Sequence, residues 1–251
     1  MKVISYISET GPRYGILDPD NQIFQVKGSL EKGFQKCSRV SALEDVRLLP
    51  PVHPTKIVAV GRNYVAHIKE FNRDIPTEPI LFLKPPSALI AYGDVIRIPE
   101  ESRQVQHEAE LAVVVGKRGR RLSEEEALSI VFGYTCANDV TARDLQYADA
   151  QWTRGKGFDT FCPLGPWIET EYDPYNKTIE CKVNGNIRQK NHTGNMIFTI
   201  PTLIRYISHI MTLEPGDLIL TGTPEGVDDL HSGDVVEVQI EDLGILRNLV
   251  E

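Results

Sequence analysis

The sequence predicts an α+β fold in which strands dominate. Three observations carry this. Short apolar runs of strand length recur along the chain. Three of them are launched by a Gly-Asp turn: Gly93-Asp94-Val95-Ile96, Gly216-Asp217-Leu218-Ile219 and Gly233-Asp234-Val235-Val236. Helix signals are fewer and do not alternate with the strands, which argues against a doubly wound α/β arrangement. The three Gly-Asp phrases are too irregularly spaced to be solenoid repeats.

Residues 3 to 8 and 13 to 26 read as short strands around Gly11-Pro12 and the turn Asp18-Pro19-Asp20-Asn21. Val40 to Leu49 is helix-like, and Pro50-Pro51 and Pro54 end it. That proline cluster is the expected boundary between a small β-rich N-terminal domain, residues 1–50, and a larger domain, residues 51–251. Lys56 to Val60 and Ile80 to Lys84 read as strands. Ser123 and Glu126 form a capping box that opens a helix to about Ile130. Tyr134 to Ala137 reads as a strand ending at Asn138-Asp139. Ile200 to Met211 begins with Pro201, carries apolar residues at helical spacing and stops near Glu214-Pro215.

With 251 residues, the chain holds one large domain or a small and a larger one. No run of about 18 apolar residues exists to span a membrane, and MKVISYISET lacks a signal-peptide pattern. The net charge of −8 and the lack of a basic tract argue against nucleic acid and anionic membranes as partners. Cysteines 37, 136, 162 and 181 form no C-x-x-C pair. Free thiols in a reducing cytoplasm are therefore expected.

The chemistry begins at HEAELAVVVG, residues 107 to 116. Leu111 to Val115 reads as a buried strand. Alternation places Glu108 and Glu110 on one face and His107 on the other. Buried carboxylates need a partner, a proton or a metal, and no lysine or arginine stands beside these two in the sequence. Asp139, where the strand from Tyr134 ends, is a candidate third donor. Three hard oxygens suit magnesium, manganese or calcium. Solvation, or pairing with Arg143 or Arg103, is the plain alternative.

In GRNYVAHIKE, residues 61 to 70, His67 and Glu70 face each other if the segment is helical. A carboxylate beside an imidazole orients it as a general base requires. A surface pair without function has the same spacing. Lys156 stands between Gly155 and Gly157, which permit close backbone approach, although the spacing of a phosphate loop is absent. LTGTPEG, residues 220 to 226, suits a carboxylate-binding loop or a plain turn.

Together the phrases VGRNYVAHIKE, EPILFLKPPSALI, HEAELAVVVGK, GYTCANDVTARDLQ, RGKGFDTFCPLGPW, NMIFTIPTLIRYIS and LEPGDLILTGTPEGV resemble the fumarylacetoacetate hydrolase family. The resemblance runs from about residue 55 to 240, and is to the short-chain branch of acylpyruvate hydrolases, oxaloacetate decarboxylases and homoprotocatechuate-pathway isomerases. It implies a mixed, rolled β-rich sheet and a homodimer. It implies Mg2+ or Mn2+ held by Glu108, Glu110 and Asp139, with Arg62-Asn63 where some members carry a further aspartate ligand. It implies catalytic roles for His67, Glu70, Lys156 and Gln146, and substrate-side roles for Arg62, Tyr64, Arg143 and Thr223. The implied substrate is a small 2-oxo acid. The implied reaction is hydrolysis of a C–C bond in an acylpyruvate, with decarboxylation or isomerisation as the alternative on the same site. A binding protein that has kept only the fold is the remaining possibility.

Overall fold

The computed structural model describes residues 1–251. Its main sheet has 12 strands, and ten lie on one path. Across that path run Gly33–Ala42, Gln22–Ser29, Gly11–Leu17, Lys2–Ser8, Cys162–Glu169, Val131–Asn138, Ala109–Val115, Leu218–Leu220, Ile57–Gly61 and Ile80–Lys84. Most neighbours are antiparallel, but Leu218–Leu220 and Ile57–Gly61 are parallel. A second, five-stranded sheet runs Asn186–His192, Thr178–Val183, Val235–Ile240, Gly244–Val250 and Val95–Ile96. The N-terminal strands are part of the main sheet, because Lys2–Ser8 pairs with Cys162–Glu169. The fold is α+β and mostly sheet, as the sequence predicts.

The alternation of side chains sorts the central strand between two cores. Leu111, Val113 and Val115 enter the larger core, which also takes Ile179, Val236 and Val238 from the second sheet and Leu203, Ile204 and Ile207 from the helix Ile200–Ile210. Ala112 and Val114 enter a smaller core with Ile57, Leu164, Ile168 and Leu218. Glu110 and Glu108 continue the parity of Ala112 and Val114. They extend the line of the smaller core past its last apolar residue.

The two helix starts read from sequence are present. Ser123 accepts from the Glu126 amide while Glu126 accepts from the Ser123 amide, at the head of Glu124–Ala127. The helix Ile200–Ile210 starts at Thr199, with Pro201 in its first turn. The helix expected over Val40 to Leu49 is not formed. Residues 40 to 42 complete the strand Gly33–Ala42, only Leu43–Asp45 makes a single 3₁₀ turn, and Leu48–Leu49 is strand. The apolar residues at helical spacing there are outweighed by ladder pairing, with Ser41 opposite Ile23 and Ala42 opposite Gln22. The four cysteines are unpaired. No helix is long and apolar enough to cross a membrane.

Candidate active site

Register brings the three acids together. Ala109 pairs with Asn138 and Glu110 with Ala137. Beyond the last pair, the Asp139 amide donates to the Glu108 carbonyl at 2.8 Å, and the Asn138 side chain accepts from the Glu108 amide at 2.9 Å. Asp139 is thereby fixed beside Glu108. Carboxylate oxygens of Glu108, Glu110 and Asp139 lie within 4.8 Å of one another, all buried.

The cations that the local sequence lacks arrive from elsewhere. Lys156 Nζ donates to Glu108 Oε2 at 2.8 Å and to Asp139 Oδ2 at 2.6 Å. Lys84, at the end of Ile80–Lys84, lies 2.6 Å from Asp139 Oδ1. Arg143 pairs with Glu108 and also donates to Gln106 at 2.7 Å and to Gln146 at 2.5 Å. The plain alternative of pairing with Arg143 thus holds for Glu108. Arg103 does not join the cluster; its amide donates to Asp144. Lys156 is not a solvated loop lysine. It ends the short helix Thr153–Lys156 with 2% exposure. Gly155 lets that helix sit against Arg143–Ala148, since a Cβ there would lie 2.9 Å from the Gln146 amide nitrogen.

Glu110 has no cation of its own. One oxygen accepts the Gly222 amide at 2.7 Å. Burial, then the charges of Asp139 and Glu108, push its carboxyl well above the usual carboxylate range. Glu108 goes the other way. Burial raises it, but Lys156 and Arg143 outweigh that and hold it far below the usual range. A buried carboxylate without a cation, facing two others, is a donor set that fits a hard divalent ion. Glu108, Glu110 and Asp139 are the residues that would hold it.

A cavity of about 220 Å³ opens over the cluster. His67, Glu108, Glu110, Asp139, Arg143, Gln146, Lys156, Arg62 and Thr223 all line it. The helix Val65–Glu70 brings His67 there, with Nδ1 3.4 Å from Glu70 Oε2. Against the upward pull of burial, His67, the Gly226 amide and the charge of Arg143 hold Glu70 below its usual range. The loop at 220 to 226 does bind carboxylates, but the protein's own: the Gly222 amide serves Glu110 and the Gly226 amide serves Glu70. Gly222 makes this possible. Its φ is 100°, and a Cβ there would meet that of Asn63 at 2.7 Å. Arg62 lines the cavity with a left-handed φ of 58°, a strained setting for a residue with a side chain.

Of the sequence candidates, Glu70 stands behind His67 rather than in the cavity lining, and Tyr64 is not brought to the cavity. It is 1% exposed and its hydroxyl has no partner. Sequence reasoning missed Lys84, and it missed Phe71, Arg73, Phe82, Tyr147 and Trp152 in the cavity wall. Lys84 had a signal, being a lysine that closes an apolar strand before Pro85-Pro86. The wall residues had none, because they come from three separate segments.

Residues 56–251 match the model of the fumarylacetoacetate hydrolase C-terminal family, and residues 1–51 match a Rv2993c-like N-terminal model. The chain belongs to the fumarylacetoacetate hydrolase family. A mitochondrial oxaloacetate tautomerase of Xenopus laevis is 47% identical over 82% of this chain and 69% of its own. The 5-carboxymethyl-2-hydroxymuconate delta-isomerase of Mycobacterium smegmatis superposes with a TM-score of 0.93 at 40% identity, covering 100% of this chain and 99% of that one. Fumarylpyruvate hydrolase of Pseudomonas aeruginosa, solved with Mn2+ and pyruvate, gives 0.75 at 32% identity, covering 81% and 91%. This is an enzyme family whose members include hydrolases, isomerases and tautomerases.

Proposed function

We propose that the chain is a metal-dependent hydrolase that cleaves a C–C bond in acylpyruvate-type 2-oxo acids. The observation that carries this is His67, backed by Glu70, in the same cavity as the carboxylate triad. Magnesium or manganese is the proposed ion; the Mn2+ of the Pseudomonas enzyme supports a divalent cation there. Bound at Glu108, Glu110 and Asp139, it would supply Lewis-acid polarisation of the substrate's 2-oxo group. Charge supports an anionic substrate as well. Lys84, Arg143 and Lys156 already balance the three acids when all are ionised, so a dication leaves the site positive.

His67, oriented by Glu70, takes a proton from water, which attacks the distal carbonyl. Collapse of the adduct breaks the bond from that carbon to C3, releasing a carboxylic acid and the enolate of pyruvate, whose C3 takes a proton to give pyruvate. Lys156, Gln146 and Arg143 offer donors for the oxyanion that develops. Arg62 and Thr223 bind the substrate from the wall. Tyr64 keeps only a supporting place behind it. The proposed assembly is a homodimer, and Leu83, 48% exposed on the edge strand Ile80–Lys84, offers apolar surface for one.

Keto–enol tautomerisation or isomerisation of a 2-oxo acid is the second reading. The names and higher identity of the Xenopus and M. smegmatis proteins favour it. A panel of fumarylpyruvate, acetylpyruvate, and keto and enol oxaloacetate, each with Mg2+ or Mn2+, separates the two. Cleavage of an acylpyruvate, reduced by roughly 10²–10⁴ in Glu70→Gln, is the expected result. Rapid interconversion of oxaloacetate forms with no acylpyruvate cleavage would replace the hydrolase with the tautomerase.

A further inference from the structure

Behind the cavity wall lies a hydrogen-bond chain whose polarity can be read without ambiguity. Gln189 sits on Asn186–His192 of the second sheet and is fully buried. Its Oε1 accepts the Ala109 amide at 3.0 Å, and its Nε2 donates to the Pro224 carbonyl at 2.7 Å. A backbone N–H only donates and a carbonyl only accepts, so these two contacts fix which end of the amide is which. The remaining contacts then have one direction each. His107 Nδ1, 2.9 Å from Oε1, must carry the proton. Thr223 Oγ1, 2.8 Å from Nε2, must accept.

A threonine hydroxyl has one proton and two lone pairs. Thr223 accepts from Gln189 on its buried side and makes no other hydrogen bond. It lines the cavity. Its proton is therefore available on the cavity side. We infer that Gln189 is a positioning residue that holds the Thr223 hydroxyl as a donor toward an anionic oxygen of the substrate. This rests on the reading of the cavity as a 2-oxo acid site. Gln189 itself never touches the ligand. It acts from a different sheet, through the hydroxyl.

The test uses the full chain loaded with Mn2+ and titrates it with oxalate, a planar dianion with the paired oxygens of a 2-oxo acid. Calorimetry reads oxalate affinity, and thermal melting checks each variant's fold. Thr223→Val and Gln189→Met should each weaken oxalate by roughly 10- to 100-fold, the scale of a hydrogen bond to a charged group. Thr223→Ser keeps the hydroxyl and should stay close to the unsubstituted chain. The double variant should bind no more weakly than Thr223→Val alone, because Gln189 works only through that hydroxyl.

Where Gln189→Met does not fold, Gln189→Glu carries the same comparison. It keeps the shape and the acceptor for Ala109 and His107, but turns the donor facing Thr223 into an acceptor. Equal weakening by either Gln189 substitution with and without the Thr223 hydroxyl would overturn the inference, as would unchanged affinity in Gln189→Met. If the unsubstituted chain loads Mn2+ yet binds no oxalate, the 2-oxo acid reading falls and the donor role with it. If it binds oxalate and only the Gln189 variants fail to differ, the role of Gln189 alone is lost.

Discussion

Lys84 shows how much a single buried charge carries here. It is 1% exposed, its ammonium faces Asp139 at 2.6 Å and donates to the Val140 carbonyl at 3.2 Å. Removing one partner of a buried pair strands the other, a loss of about 3–5 kcal/mol. Lys84→Met should destabilise the metal-free protein, by less than that full amount because Lys156 still donates to Asp139, read by denaturant unfolding. Glu110 is the opposite case, a buried carboxylate with acids for neighbours and no ion pair of its own, where burial and those acids outweigh the charge of Lys156. Glu110→Gln keeps an acceptor for the Gly222 amide and removes the repulsion. Chelator-treated protein should gain stability from it, while affinity for Mg2+ or Mn2+ falls at least ~10–100-fold, the loss seen even for outer-shell partners. Competition with a metal-indicator dye checks the second half. Unchanged metal affinity would remove Glu110 from the ligand set.

At the scale of elements, two helices are held by different means. Ile200–Ile210 has a Thr199 cap that accepts from the Thr202 amide, and it buries Leu203, Ile204 and Ile207. Thr199→Ala should cost about 1 kcal/mol, without touching substrate affinity. Val65–Glu70 has six residues and no side-chain cap. A helix that short has no stability of its own. Buried Ile68 and the Glu70–Gly226 contact hold it in place. Its His67 and Ile68 line the cavity. Hydrogen exchange should find residues 65–70 opening faster than 109–115, and oxalate with Mn2+ should slow them selectively. No such slowing would leave the segment a fixed wall. Ile200–Ile210 was legible locally, from Pro201 and its apolar residues at helical spacing, whereas a helix over Val65–Glu70 was only the condition on which the His67–Glu70 pairing rested. The segment Val40 to Leu49 was not legible, because its fate depends on pairing with residues 22 and 23, and a local apolar pattern does not contain its partner strand.

For the whole molecule, the acid cluster makes stability depend on pH and on metal together. Glu110 has a folded pKa above its unfolded value, so between the two the metal-free fold binds more protons than the unfolded chain. Its stability should fall as pH rises from the unfolded carboxylate range, about 4.5, through the raised value. Glu108 has the reverse sign. Its contribution is present above the unfolded pKa and is lost as pH falls toward its depressed one. Melting curves across pH, with chelator and with excess Mn2+, separate these. The fall on the alkaline side should disappear when metal is present, because the ion favours the ionised form of Glu110. Identical profiles with and without Mn2+ would count against a metal at this cluster.

Some of this protein follows from the order of its residues alone. Alternation along HEAELAVVVG places Glu108 and Glu110 on one face and His107 on the other, and the i,i+3 spacing faces His67 to Glu70. Those relations are local geometry, set by backbone periods that need no partner. What answers the charge of the acids was not local. Lys84 comes from the end of one strand, Arg143 and Lys156 from two short helices, and none is near Glu108 in sequence. The same holds for Tyr64, turned into the interior beside residues that do face the cavity, and for Gln189, which reaches Thr223 from another sheet. Periodicity decides which way a side chain points from its own backbone. Only the packing of distant strands and helices decides what it meets there.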